Sequence, residues 1–74
     1  MIDRTHTGKR CHTLRFVRTV HGDLPRGTQG TILYEMENLG RRLVLVRWDT
    51  GMTAPVFPQE IELEGAKRLQ GESA

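Results

Sequence analysis

The sequence predicts an all-β domain: a small five-stranded barrel with a short helical turn before the last strand and loose termini. Three observations point there. Five short stretches combine β-branched and aromatic residues with a period of two, separated by turn formers at intervals of about 8 to 12 residues. No stretch of the 74 residues repeats apolar side chains at helical spacing over a useful length. A chain this short buries only about 60% of its unfolded surface, and Cys11, its sole cysteine, rules out an intrachain disulfide. Curling the sheet shut is then the direct way to protect the edges of short strands.

The elements follow in order. Residues 1–10 are polar and aperiodic, with Gly8 beside Lys9-Arg10, and are expected to form a flexible arm whose end can pair with the first strand. The barrel is expected over 11–64. Residues 13–20 suit a half-buried strand, with the adjacent Phe16 and Val17 breaking the alternation as a bulge would. His21 to Gly27 is dense in turn formers and reads as a loop anchored by Leu24. Thr28 to Glu37 alternates, which puts Ile32, Tyr34 and Met36 on one face and Thr31, Leu33, Glu35 and Glu37 on the other. Asn38-Leu39-Gly40 is a hairpin connection. Arg42 to Asp49 is the strongest strand, with Val44, Val46 and Trp48 facing the core and Leu43, Leu45 and Arg47 opposite. Asp49-Thr50-Gly51 closes a tight turn, and a short strand follows through Val56-Phe57. Pro58-Gln59-Glu60 suits one helical turn, since proline donates no ladder hydrogen bond. Ile61 and Leu63 alternate with glutamates in a last strand, and 65–74 is expected to be a flexible C-terminal tail.

The formal charge is +2, unevenly spread. Residues 1–30 carry six basic groups against two acidic ones, a balance of +4, while 31–74 carry five against seven, a balance of −2. Such asymmetry steers an anionic partner toward one side of the molecule. The N-terminal residues Met1 to His6 hold no apolar export core, and no apolar run approaches the roughly 20 residues that span a bilayer as a helix. With a lone cysteine, this leads to the expectation of a cytoplasmic protein without membrane insertion.

Candidate chemistry is sparse. His6, His12, His21 and Cys11 are the soft-ligand residues, but structural zinc sites show paired ligands at close, repeated spacing. Cys11 and His12 are adjacent, so in a strand they face opposite ways. Scattered histidines and a half-buried thiol describe them better, and no metal or cofactor is expected. A catalytic thiolate would need a lowered pKa, an orienting group and an oxyanion site; the sequence supplies no such set, and no catalytic residue is expected. Gly27-Thr28-Gln29-Gly30 opens onto a strand rather than the helix N-terminus of a phosphate loop, so turn and bulge geometry explains it. Trp48 and Tyr34 share faces with aliphatic residues and are assigned to the core and the barrel rim.

The order of signals also carries a resemblance. Pro25-Arg26-Gly27, then Gly30-Thr31-Ile32 opening a strand, then Val46-Arg47-Trp48-Asp49-Thr50-Gly51, and last Val56-Phe57-Pro58-Gln59-Glu60-Ile61-Glu62-Leu63 make a layout that resembles SH3-like barrels of bacterial accessory proteins. It is similar to the ferredoxin-docking small subunit of the photosynthetic complex I of cyanobacteria and chloroplasts, and to small uncharacterised bacterial barrels. The likeness covers about two-thirds of the chain, and its turn and core residues specify fold better than function. The docking family implies a basic surface facing an acidic protein. Arg15, Arg18, Arg26, Arg41 and Arg42 are the candidates, since guanidinium groups grip carboxylate or phosphate in two-point fashion. The expectation is a non-catalytic protein-interaction module, an accessory protein or subunit that docks on a larger protein. The 21–27 loop and the 38–42 hairpin are its expected contact regions. The alternative is a nucleic-acid-binding small barrel, and the third class is a metal- or thiol-dependent activity.

Overall fold

The protein is described by a computed structural model over residues 2–64; the expected tail at 65–74 lies outside the described residues. The fold is all-β. Its elements are β1 (Ile2–Asp3), β2 (Arg10–Thr13), β3 (Val17–Thr19), β4 (Gly22–Leu24), β5 (Gln29–Asn38), β6 (Arg41–Trp48), β7 (Thr53–Val56), a 3-10 turn (Pro58–Glu60) and β8 (Ile61–Leu63). Five strands follow the antiparallel path β7-β6-β5-β2-β8, β1 is added to the far half of β5, and β3–β4 is a separate hairpin. The expected closure is not made by strand pairing, because β7 and β8 end the path. The 3-10 turn contacts β6 and β8, while β3 lies against β7. A single core forms inside, with Trp48, Leu24, Ile32, Val46 and Cys11 almost wholly buried.

Most strands fall where period and turn chemistry place them. Val44, Val46 and Trp48 face inward from β6, and Ile61 and Leu63 from β8. The Trp48 indole N–H donates to the Ala54 carbonyl at 3.3 Å, which satisfies the one polar atom of the largest core side chain. Two expectations need correction. The strand expected over 13–20 breaks after Thr13, whose hydroxyl donates to the Pro25 carbonyl at 2.8 Å and accepts from the Thr28 N–H at 3.0 Å. The chain swings there into the β3–β4 hairpin, so much of the expected 21–27 loop is strand, with Val17 opposite Leu24.

The second correction is a register shift. β5 bulges between Ile32 and Tyr34, with Leu33 as the extra residue. Beyond it the alternation inverts: Tyr34 and Met36 leave the Ile32 face, and Glu35 turns inward opposite Val44 at 8% exposure. Tyr34 is half-buried at the surface, with the Arg4 guanidinium 5.4 Å from its ring centroid.

The N-terminal arm lies along this bulge. The Thr7 hydroxyl donates to the Leu33 carbonyl at 2.6 Å, Gly8 N–H to Ile32 O at 2.8 Å, and Ile2 and Asp3 pair with Met36 and Glu35. A bulge leaves ladder groups unpaired, and the arm satisfies them.

Leu39 and Gly40 form the β5–β6 turn with φ of 54° and 78°, the two positive values of a type I′ connection. Leucine is a poor residue there, because its Cβ crowds the following carbonyl, and Leu39 is 92% exposed. Leu39→Asn should therefore stabilise the domain by about 1 kcal/mol, read as a higher urea midpoint at unchanged slope.

Candidate interaction groove

The five arginines expected to mark a basic face do not share one surface role. Arg15 follows β2 and lies 3.6 Å from Glu60, and Arg18 on β3 lies 3.8 Å from Asp23. Both are largely exposed, and such long contacts leave guanidinium donors to spare. Arg26 is exposed in the turn between β4 and β5, and Arg41 is exposed where β6 leaves its hairpin. Arg42 points the other way along β6. Its Nη1 donates to Glu35 Oε1 at 2.9 Å and lies 3.7 Å from Asp3, so it is tied to the inward glutamate. Arg10, not among the candidates, grips Asp49 with two bonds of 2.9 and 2.6 Å and clamps β2 to the β6–β7 turn across β5. These hydrogen bonds hold the Asp49 carboxyl below its ordinary pKa.

Arg15 and Arg18 belong to the part of the surface where apolar residues collect. A groove of about 250 Å³ runs between β3 and the end of β7, with Val17, Val20, Leu43, Pro55 and Phe57 among its walls and Arg18 and Glu60 at its margin. The volume is below the usual 300–1,000 Å³ of small-molecule pockets, so it suits one or two side chains better than a metabolite. The Leu14 N–H donates to the Glu60 carbonyl at 2.8 Å, which joins the 14–20 segment to the 57–60 segment. Six large hydrophobic residues are exposed among those described, and four of them, Leu14, Phe16, Val20 and Phe57, lie on these two adjoining segments. Arginine candidacy alone missed them. A signal for Val20 was present, since an apolar side chain beside the His21-Gly22 turn has no core to face. Phe57 sits just before Pro58, where the strand must stop.

The remaining titratable groups are dispersed. His6 Nδ1 lies 2.6 Å from Glu35 Oε2, His12 contacts Glu62 and Glu64 at 3.6 and 3.3 Å, and His21 is exposed. Among the described residues no cluster of three or more His, Cys, Asp and Glu is arranged to hold a metal ion. His6, Glu35, Ile32 and Val44 border a cavity of about 20 Å³ at one end of the core, room for a single water.

Cys11 is fully buried between Gly30 of β5 and Leu63 of β8. Burial pushes its thiol up to about 11, against a smaller opposing pull from Arg10. The folded thiol stays protonated while the unfolded one ionises from about pH 9, so the unfolded state binds fewer protons in that window. Stability should be unaffected below pH 9 and fall by up to about 2–3 kcal/mol as pH rises toward 11. Urea titrations of the unaltered chain and Cys11→Ala across that range check this: the alkaline loss should shrink in the variant.

Among the described residues no helix is long and apolar enough to cross a membrane. No family model, curated protein or solved structure matches the chain.

Proposed function

We propose that the chain is a non-catalytic protein-interaction module, an accessory protein that docks on a larger, acidic partner through the groove between β3 and β7. The observation that carries this reading is the gathering of Leu14, Phe16, Val20 and Phe57 on two adjoining exposed segments. Val20 and Phe57 line the groove together with Val17, Leu43 and Pro55, and apolar side chains gathered about one groove mark a contact site more than scattered ones do. The expected partner presents apolar side chains beside carboxylates, because the loosely paired Arg15 and Arg18 lie on the first of these segments among its apolar residues. The SH3-like resemblance supports the same reading at the level of layout. Trp48 is buried and the Tyr34 ring lies under Arg4, so neither offers an open stacking platform, and Arg10 and Arg42 are committed to Asp49 and Glu35, which disfavours a phosphate-tracking surface.

The test uses a protein captured from native extract, identified and then titrated as a purified component. Phe57→Ser and Val20→Ser should each weaken binding at least tenfold, as central anchors do, while Arg26→Ser leaves it within twofold. Arg15→Glu with Arg18→Glu should lower the association rate and its salt dependence. RNA or DNA binding at low salt that is lost steeply with added salt and is indifferent to Phe57→Ser would replace this reading with the nucleic-acid one.

A further inference from the structure

The groove's floor is an edge strand, and that edge has lost two of its three outward backbone donors. β7 pairs with β6 through Val44–Val56, Leu45–Pro55, Val46–Ala54 and Arg47–Thr53, and just beyond them the Trp48 N–H donates to the Met52 carbonyl at 2.7 Å. Antiparallel pairs alternate between bonded and non-bonded. Counting from Trp48–Met52, the Ala54 and Val56 pairs are bonded, while Thr53, Pro55 and Phe57 direct their backbone groups to the free side. Pro55 has no N–H to offer there. The Phe57 N–H is taken by the Glu60 carboxylate at 2.9 Å, and its carbonyl accepts the Glu60 N–H at 2.9 Å. Of three successive outward positions, only Thr53, beside the turn, keeps a donor. An added strand needs every second donor and acceptor along the edge.

Resting on the groove reading for the identity of the site, we propose that Pro55 and Glu60 are its specificity-determining residues: they exclude strand addition, by a partner or by a second copy of this chain, so that the groove reads side chains only. Val20 and Phe57, rather than a row of backbone groups, then set what binds. Prolines and engaged donors on edge strands are a general defence against unwanted pairing. The position of Pro55 fits that defence, because one residue earlier or later it would have broken a β6–β7 bond.

The edge can be reopened without any partner in hand. Pro55→Thr restores one outward donor, and Pro55→Thr with Glu60→Ala restores two. Sedimentation velocity over a concentration series should show the double variant self-associating at concentrations at least tenfold below any at which the unaltered chain does, with amides at 53–57 newly protected from exchange. Pro55→Thr alone should show the same shift to a smaller degree; it leaves the Glu60 contacts in place and decides the matter if the double variant fails to fold, which the fluorescence of buried Trp48 reports. A folded variant that associates no more than the unaltered chain would overturn the inference, as would association with no added protection at 53–57. This outcome is separable from the anchor test. Loss of the Phe57→Ser effect with the edge result intact would defeat the groove reading and leave the edge assignment standing, and the reverse pattern would do the opposite.

Discussion

Gly30→Ala should destabilise the domain by about 3 kcal/mol or more, a large fraction of the stability of so small a domain. A Cβ at this position would come within 2.6 Å of Val46 Cγ1, 2.8 Å of Trp48 Cε3 and 2.9 Å of the Arg47 carbonyl oxygen. Neither the indole nor the backbone can yield. Trp48 is 1% exposed and held by its bond to Ala54, and Arg47 sits opposite Thr31 in the central ladder. Overpacking a settled core costs about 1–3 kcal/mol and occasionally more; three contacts below 3.0 Å place this site at the upper end. Gly8→Ala supplies the comparison. Gly8 has φ of +88° and no neighbour within 4 Å of a new Cβ, so strain alone acts there, at about 1–2 kcal/mol. Urea unfolding followed by Trp48 fluorescence would separate the two, and equal losses at both positions would refute the crowding argument.

Arg42→Ala should cost about 2–3 kcal/mol, much more than an exposed arginine ordinarily contributes. The reason is Glu35, whose side chain is 11% exposed and holds Arg42 at 2.9 Å and His6 at 2.6 Å. Removing Arg42 leaves an inward carboxylate with one of its two partners gone. Arg42 itself is 42% exposed and His6 31%, so both rehydrate readily when Glu35 is the residue removed. Glu35→Met should therefore be milder than Arg42→Ala, and the double variant should lie near Glu35→Met alone. Additive losses would mean that the cluster is a surface feature of no special energy.

Both effects trace to what the sequence could and could not disclose. Local chemistry carried the architecture: the alternation of Val44, Val46 and Trp48, the Asp49-Thr50-Gly51 turn, and the Pro58 stop before Ile61 and Leu63 all reappear in place. Gly30 was legible as glycine but not for its cause. It lies near the start of β5 without a positive φ, and its value is the room it leaves for Trp48 and Val46, whose side chains come from another strand. The bulge at Leu33 was not legible at all, since neither glycine nor proline marks it. One extra residue reversed the faces of Tyr34, Met36 and Glu35. The pairing of the arm with β5 goes with that bulge, and its place was not legible for the same reason.

The proposed interaction surface was half legible. Charge selected Arg15 and Arg18 together with Arg26, Arg41 and Arg42, because formal charge carries no information about where a side chain points. Arg42 proved to be committed to Glu35 and Asp3, and the apolar residues between β3 and β7 are neighbours only after folding. Periodicity assigns residues to strand faces, but a groove between two segments about 40 residues apart needs the tertiary path of the chain.

Photo-crosslinking tests the docking reading most directly. Benzoylphenylalanine would replace Phe16, Val20 or Phe57 in one set of variants and Arg26, Leu39 or Arg41 in another, with irradiation in native extract. The expected result is one acidic protein attached through positions 16, 20 and 57 and absent from 26, 39 and 41. Attachment confined to the second set, or to nucleic acid from either, would contradict a docking groove between β3 and β7.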